Sequence, residues 1–234
     1  MQLPYFFIKE IPASPGIVVL DEENSRHIVQ VLRMKDGEQL WLQNGKGLKA
    51  LAEISDGHKK HCAVVLKEFY SEPAPKRSVT IAISLLKNAS RFEWFLEKAT
   101  EIGVTRIVPL LCARTESQKF RIDRLKGILV SAMLQSQRLW LPEICEPVDF
   151  NKFLEEEFSG EKFIAHCMSE EKRNPLENYR SENSVILIGP EGDFTAGEID
   201  IALRKNFVAA SLGDHRLRTE TAGVVAATLL CRQF

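Results

Sequence analysis

Apolar and polar positions divide the chain near residue 75 into two differently patterned parts. Upstream, short runs alternate apolar and polar residues, the period of strands with one buried face. Residues 16–20, 38–43, 49–54 and 62–69 read as such strands. Asn44-Gly45 and Asp56-Gly57 between them are hairpin signals, because these residue types accept the positive φ that tight turns demand. Asp21 can cap a helix that carries His27, Ile28, Val31 and Leu32 on one face. A meander of this kind suits a small β-barrel.

Downstream the pattern changes. Residues 79–86 form a nearly continuous apolar run, the mark of a strand buried on both faces of a parallel sheet. Phe92, Phe95, Leu96, Ala99 and Ile102 follow at helical spacing, and Gly103 ends that helix. Residues 107–111 predict the next strand, 122–138 a second helix, 149–158 a third, and 163–167 a strand ending near His166. The last fifty residues predict a strand at 185–188, a helix opened by the capping box Thr195-Ala196-Gly197-Glu198, a strand at 208–212, and an apolar helix opened by Thr219-Glu220-Thr221-Ala222. Strands alternating with helices imply an α/β sheet with right-handed crossovers. The stretch Ser71-Glu72-Pro73-Ala74-Pro75-Lys76 lies between the two patterns, and its prolines break both helix and strand. The expected fold class is therefore α/β with a β-barrel domain: residues 1–70 a barrel, 71–78 a linker, and 79–234 the α/β domain.

Composition narrows the function. The chain has 234 residues, 44% of them hydrophobic, enough for a proper core in one or two domains. A formal net charge of −1 means that any nucleic-acid surface has to be a local patch. Lys9, Arg26, Arg33, Lys35, Lys46 and Lys49 can line one side of the barrel. Residues 114–138 hold six basic residues (Arg114, Lys119, Arg121, Arg124, Lys126, Arg138) against two acidic ones. An ordinary solvated surface fits the same charges. The five cysteines are scattered and odd in number, without a C-x-x-C pair, so neither a disulfide framework nor a zinc ribbon is expected and a reducing cytoplasm is. His58 and His61 lack further ligands nearby, so no metal is expected there. No apolar run reaches membrane-spanning length, and residues 1–10 lack the plan of a signal peptide.

Candidate chemistry lies in the two loops that leave the strands at 185–188 and 208–212, since open α/β sheets bind ligands beyond the carboxyl ends of their strands. The first reads Gly189-Pro190-Glu191-Gly192-Asp193-Phe194, the second Gly213-Asp214-His215-Arg216-Leu217-Arg218. Neither has a phosphate-cradling pattern, and the chain has no G-x-S-x-G or H-E-x-x-H. What remains is backbone-rich loops with apolar walls from Leu187, Ile188, Leu212 and Leu217. Such walls suit an uncharged aromatic ring read by backbone groups, an adenosine-type ligand without phosphates. Arg216, Arg218 and Glu220 project beside it and can act on a second, anionic substrate. Two ordinary turns between elements would carry the same spacing.

The two terminal motifs together resemble the RsmE family, the 16S ribosomal RNA uridine-N3 methyltransferases of the SPOUT superfamily. The first is Gly189-Pro190-Glu191-Gly192 with Phe194-Thr195 and Glu198. The second is Leu212-Gly213 with Arg216-Leu217-Arg218-Thr219-Glu220-Thr221-Ala222. Lys87, Arg91, Glu93, Glu101-Ile102-Gly103-Val104, Pro109, Arg114, Gln135-Ser136, Arg138 and Pro142 also resemble family positions, as does Arg33-Met34-Lys35-Asp36-Gly37 nearer the start. Three places depart from the pattern. Asp193 stands where the family usually has a second glycine, Leu134 where an acidic residue often precedes Gln-Ser, and Gly213-Asp214-His215-Arg216 replaces a shorter hydrophobic loop.

The resemblance implies a PUA-like barrel for RNA, a SPOUT-type domain with a trefoil knot, S-adenosylmethionine bound in the knot, and a homodimer. It implies a substrate in 16S rRNA of the small ribosomal subunit. Ala165, His166, Ile188, Gly189, Pro190, Glu191, Gly192, Leu212, Gly213, Arg216, Leu217 and Thr221 are expected at the cofactor. Arg26, Arg33, Lys35, Arg91, Arg114 and Arg138 are expected at RNA. Arg218 is the expected donor to the developing uracil anion, and Glu220 orients Arg218 or relays the proton; an Arg218–Glu220 ion pair bracing the last helix is the plainer alternative. Two other functions fit the same patches: a non-catalytic RNA-binding module, and an α/β enzyme acting on a free nucleotide.

Overall fold

A computed structural model describes residues 3–116, 119–168, 174–176, 179 and 182–231. The chain forms two units, one of residues 1–74 with 133–141, the other of residues 75–132 with 142–234.

The first unit contains β1 (Tyr5–Phe7), β2 (Ile17–Val19), α1 (Glu22–Arg26) continued by a π-helical turn (His27–Val31), β3 (Gln39–Gln43), β4 (Leu48–Asp56) and β5 (Ala63–Ser71). The sheet order is β1-β3-β4-β5-β2, with β1 parallel to β3 and the other pairs antiparallel. Alternation sorts its faces: Phe6, Leu40, Leu42, Ala50, Ala52, Ile54, Val64 and Leu66 are buried together with Leu20 and Ile28. Asp21 caps α1 by accepting from the Asn24 amide at 2.8 Å. Strand β1 has only three residues, too short for a period-two signal, and the pattern did not announce it. The Asn44-Gly45 signal marks the turn between β3 and β4, where Asn44 Oδ1 accepts from the Lys46 and Leu48 amides. Residues 139–141 hydrogen-bond to this turn through Gly45 and Gly47. At Gly47 (φ +83) a Cβ would lie 2.6 Å from the Trp140 ring, so only glycine permits the approach.

The second unit contains β6 (Ser78–Ser84), α2 (Ala89–Ile102), β7 (Arg106–Leu111), α3 (Ile122–Ser136, its end in the first unit), β8 (Glu143–Ile144), β9 (Val148–Asp149), α4 (Phe150–Phe153), β10 (Glu161–Ala165), β11 (Asn174–Pro175), β12 (Asn183–Ile188), α5 (Ala196–Arg204), β13 (Val208–Ser211) and α6 (Thr219–Cys231). Every pairing in its sheet is parallel, in the order β11-β13-β10-β12-β6-β7-β8, with β9 also on β7. Strand β13, the last in the chain, lies between β10 and β11 rather than at an edge. Periodicity locates strands but carries no information about that order.

Helices cover both faces of this sheet. Phe150 and Phe153 of α4, and Ile199 and Ala202 of α5, pack with Val108, Ile164, Val185 and Leu187. Helices α2 and α6 pack together, and α6 lies on β6 and β12. Gly223 inside α6 makes the contact possible, because a Cβ there would be 2.7 Å from the Phe95 ring. The helix expected over 149–158 is a single turn, Phe150–Phe153, capped by Asp149. Glu155, Glu156 and Glu157 follow it, and three acidic side chains at a helix C-terminus oppose its dipole and repel one another.

Candidate active site

A cleft of about 330 Å³ opens in the second unit beyond the carboxyl ends of β10, β12 and β13. Ala165, His166 and Cys167 line it after β10. Ile188, Gly189, Pro190, Glu191 and Asp193 line it after β12. Ala210, Leu212, Gly213, His215, Arg216, Leu217, Arg218, Thr219 and Ala222 line it from β13 into α6, and Arg91 reaches it from α2. The walls are mainly apolar side chains and backbone, and the charged groups stand at particular points. That is the composition of a site for a flat, weakly charged ring with a polar extension.

The loop after β12 is fixed by side chains from elsewhere. Arg114 Nη1 donates to the Gly192 carbonyl at 2.6 Å and to the Phe194 carbonyl at 3.5 Å. Glu191 Oε1 accepts from the Lys87 amide at 3.1 Å. Asp193 adopts φ +62 and bonds on both sides, its Oδ1 accepting from the Phe194 amide and its Oδ2 from the Cys167 amide, each at 2.8 Å. The loop after β10 is thereby tied to the loop after β12. Buried Glu198 completes the capping box with Thr195 and also accepts from the Ala113 amide at 2.8 Å. Gly189 packs closely in this loop: a Cβ there would sit 3.1 Å from the Phe194 ring, a tight contact that the ring would have to yield to. At Gly213 nothing lies within 4 Å of such a Cβ, but φ is +132, a conformation for glycine alone.

Of the expected cofactor residues, Ala165, His166, Ile188, Gly189, Pro190, Glu191, Leu212, Gly213, Arg216 and Leu217 line the cleft. Gly192 and Thr221 do not; the Gly192 carbonyl is held by Arg114, and Thr221 is half-buried on α6. The His166 ring is buried, and its Nδ1 accepts from the Met168 amide at 3.3 Å. Arg218 is exposed at the cleft. Glu220 does not reach it. The Glu220 side chain turns inward from the first turn of α6, 6% exposed, with Oε1 3.7 Å from Arg91 Nε on α2. Its Oε2 is buried with no hydrogen-bond partner among the described residues. Glu220 is thus paired with Arg91, and no ion pair between Glu220 and Arg218 is present among the described residues.

The expected RNA residues fall into two groups. Arg26, Arg33, Lys35 and Arg138 belong to the first unit; Arg91 and Arg114 belong to the second, where Arg91 lines the cleft and Arg114 braces the loop after β12. Arg124, part of the basic excess at 114–138, pairs with Glu93 at 2.5 and 2.9 Å, and its hydrogen bonds hold the Glu93 carboxyl below the usual carboxylate range. Sequence reasoning missed Cys167, Asp193, Ala210, His215, Thr219 and Ala222 as lining residues. Asp193 had a signal, its position where glycine is usual. The exposed Cys167 contrasts with Cys112, whose thiol burial pushes up to about 12, leaving it protonated and inert at neutral pH. Among the described residues no cluster of side chains could hold a metal ion, and no helix is long and apolar enough to cross a membrane.

Residues 72–231 match the family model described as RNA methyltransferase domain, and residues 20–67 match the RNA methyltransferase PUA domain. The chain is 30% identical over 215 residues to the ribosomal RNA small subunit methyltransferase E of Rickettsia conorii, covering 90% of this chain and 87% of that one. A probable rRNA-methyltransferase from Porphyromonas gingivalis superposes with a TM-score of 0.88 at 35% identity, covering 97% of this chain and 98% of the other. A ribosomal RNA small subunit methyltransferase E from Neisseria gonorrhoeae, solved bound to S-adenosyl methionine, superposes with a TM-score of 0.87 at 28% identity, covering 97% and 95%.

Proposed function

The chain belongs to the ribosomal RNA small subunit methyltransferase E family, and from that premise we propose that it methylates N3 of a uridine in 16S rRNA within the small ribosomal subunit. The observation that carries this reading is the cleft beyond β10, β12 and β13, with the exposed guanidiniums of Arg216 and Arg218 at its edge. When bound, S-adenosylmethionine supplies an electrophilic methyl group on a sulfonium. The chain's own residues fit it. Ala165, Ile188, Ala210, Leu212 and Leu217 offer apolar wall, and the braced loop 189–194 offers backbone groups already in place. A volume of about 330 Å³ falls in the range of small-molecule sites.

Uridine N3 carries a proton at neutral pH and is a poor nucleophile until the proton leaves. Negative charge then spreads onto the uracil oxygens. Arg218 stays charged, makes no ion pair among the described residues, and can donate to such an oxygen. Arg91 faces the same cleft with Glu220 behind it, and that pair holds the start of α6, and so Arg218, in position. Whether water or a side chain receives the proton, holding N3 in line supplies a large share of the rate.

We assign the assembly and the compartment in the same way. Helix α6 buries Gly223, Ala226, Ala227 and Leu230, while Val224, Val225 and Leu229 remain half-buried on its other sides. Apolar residues on more than one face of a helix favour a two-fold homodimer. The placement of β13 between β10 and β11 suits a chain that threads itself, as a trefoil knot requires. Five free cysteines suit the cytoplasm.

Methylation at N3 blocks Watson–Crick pairing and stops reverse transcriptase, whereas methylation at ribose or C5 leaves pairing intact. Incubating the protein and S-adenosylmethionine with small subunits from a strain lacking this gene should give a new methylated uridine by mass mapping and a stop at the same position. A mass gain without the stop would rule out N3.

A further inference from the structure

The outer face of the first unit's sheet carries aromatic rings where an ordinary solvated face would carry polar residues. Register puts them together: Tyr5 on β1 is opposite Trp41 on β3, Trp41 is opposite Leu51 on β4, and Lys49, two residues before Leu51, is opposite Tyr70 on β5. Partners in register share a face, and so do alternate residues of a strand. The opposite face holds the core residues Phe6, Leu42 and Ala50, so these rings are not needed to fill the interior.

The rings form one contiguous surface. Tyr5 stacks on Trp41 with centroids 6.2 Å apart, and Tyr70 meets Trp41 edge-on at 5.3 Å. Lys49 Nζ lies over all three, 4.6 Å from the Trp41 centroid, 5.6 Å from that of Tyr70 and 5.8 Å from that of Tyr5. Among the described residues that ammonium is held by rings and by no carboxylate, so its charge is not neutralised. Tyr70 is 44% exposed, the most open of the three rings, and its hydroxyl donates to Glu68 Oε2 at 2.5 Å.

An aromatic face with an un-neutralised cation beside it fits a ligand that has both a flat π-surface and an adjacent negative charge. A nucleotide in a single strand has both, whereas a duplex hides its bases. We propose that this face binds an unpaired segment of the RNA substrate, one base stacking on Tyr70 against the Trp41–Tyr5 wall and the adjoining phosphate taken by Lys49. The proposal rests on the reading of the protein as an RNA methyltransferase and adds where a single strand is gripped away from the cleft.

Binding of labelled oligouridylate, followed by fluorescence anisotropy across a salt series, tests it. The same strand annealed to oligoadenylate serves as duplex control. Tyr70→Ala should weaken binding of the single strand by roughly fivefold or more, the lower end of one lost base stack, with the salt dependence unchanged. Tyr70→Phe keeps the ring and should bind as the parent does. Lys49→Gln should reduce the log–log salt slope by about one. Duplex binding should not respond to Tyr70→Ala. The proposal is overturned if Tyr70→Ala binds the single strand normally, if Tyr70→Phe fails as badly as Tyr70→Ala, or if the duplex loses as much. Calorimetry with S-adenosylmethionine separates the two readings. Tyr70→Ala should bind the cofactor like the parent, and a parent that binds none would remove the methyltransferase reading whatever the RNA data say.

Discussion

The loop after β12 is held from every side, whereas the loop after β13 is held by little beyond its own ends. In the first, Arg114, Lys87, Asp193 and Glu198 supply or accept hydrogen bonds that reach β7, β10 and α5, and Phe194 is buried against Phe150. In the second, Ser211 Oγ donates to the Gly213 carbonyl at 3.1 Å and accepts from the Gly213 amide at 3.3 Å, and residues 213–216 are exposed. The two loops wall one cleft. The braced loop spends its polar side chains on its own shape and presents backbone to a ligand. The other leaves Arg216 and Arg218 uncommitted. A cleft so divided can place a cofactor on a rigid floor and keep free charge for a second substrate whose charge changes during reaction.

The sharpest way to break this division is to remove the uncommitted charge. With Arg218 proposed to donate to the developing anion, Arg218→Ala should lower the single-turnover methylation rate by roughly a hundredfold or more, with little change in cofactor affinity. Thermal stability should not move, since the side chain is exposed and makes no hydrogen bond or ion pair among the described residues. The parent rate should rise with pH as N3 deprotonation becomes easier. A variant that folds, binds both substrates and methylates normally would take Arg218 out of the reaction.

The braced loop should respond the other way. Gly189→Val forces a side chain against Phe194, 3.1 Å from the glycine's missing Cβ, and over-packing of this kind costs about 1–3 kcal/mol. Denaturant midpoint and cofactor affinity should fall together. Affinity lost at unchanged stability would mean that the glycine serves the ligand's approach rather than the loop's own packing.

How far the sequence revealed this arrangement depends on what each residue's signal was. The strands β6, β7 and β12 were legible because burial on both faces leaves unbroken apolar runs, and the box at Thr195 and Glu198 was legible because capping is local chemistry. Strand order was not, since β13 enters between β10 and β11 by a path that periodicity does not encode. Nor could pattern place residues 133–141 with the first unit, because their contacts to Gly45 and Gly47 span most of a hundred positions. In the cleft, the motif residues lay where two strand ends converge. The partner of Glu220 was not legible because Arg91 comes from a different element, α2, while Glu220 is buried and its near neighbour in sequence, Arg218, is exposed.

The smallest effect, and the one that tests how the braced loop is braced, concerns Asp193. Its φ of +62 is costly for most side chains and tolerated by aspartate, and its carboxylate also joins Cys167 to the loop after β12. Glycine at this position would relieve the backbone cost, lose both hydrogen bonds and loosen the unfolded chain. Alanine would lose the same bonds and keep the backbone cost, about 1 kcal/mol for a left-handed residue. Asp193→Ala should therefore be less stable in urea than Asp193→Gly, while both bind the cofactor a few-fold more weakly than the parent. Asp193→Asn keeps a side-chain acceptor and an accepted left-handed geometry, and should lie closest to the parent in both measurements. If Asp193→Gly binds as tightly as the parent, the carboxylate bridge contributes nothing to the floor of the cleft, and the residue is there only because it accepts the turn. If glycine and alanine instead lose affinity alike while differing in stability, the bridge to Cys167 holds the β10 and β12 loops at the spacing the cofactor needs.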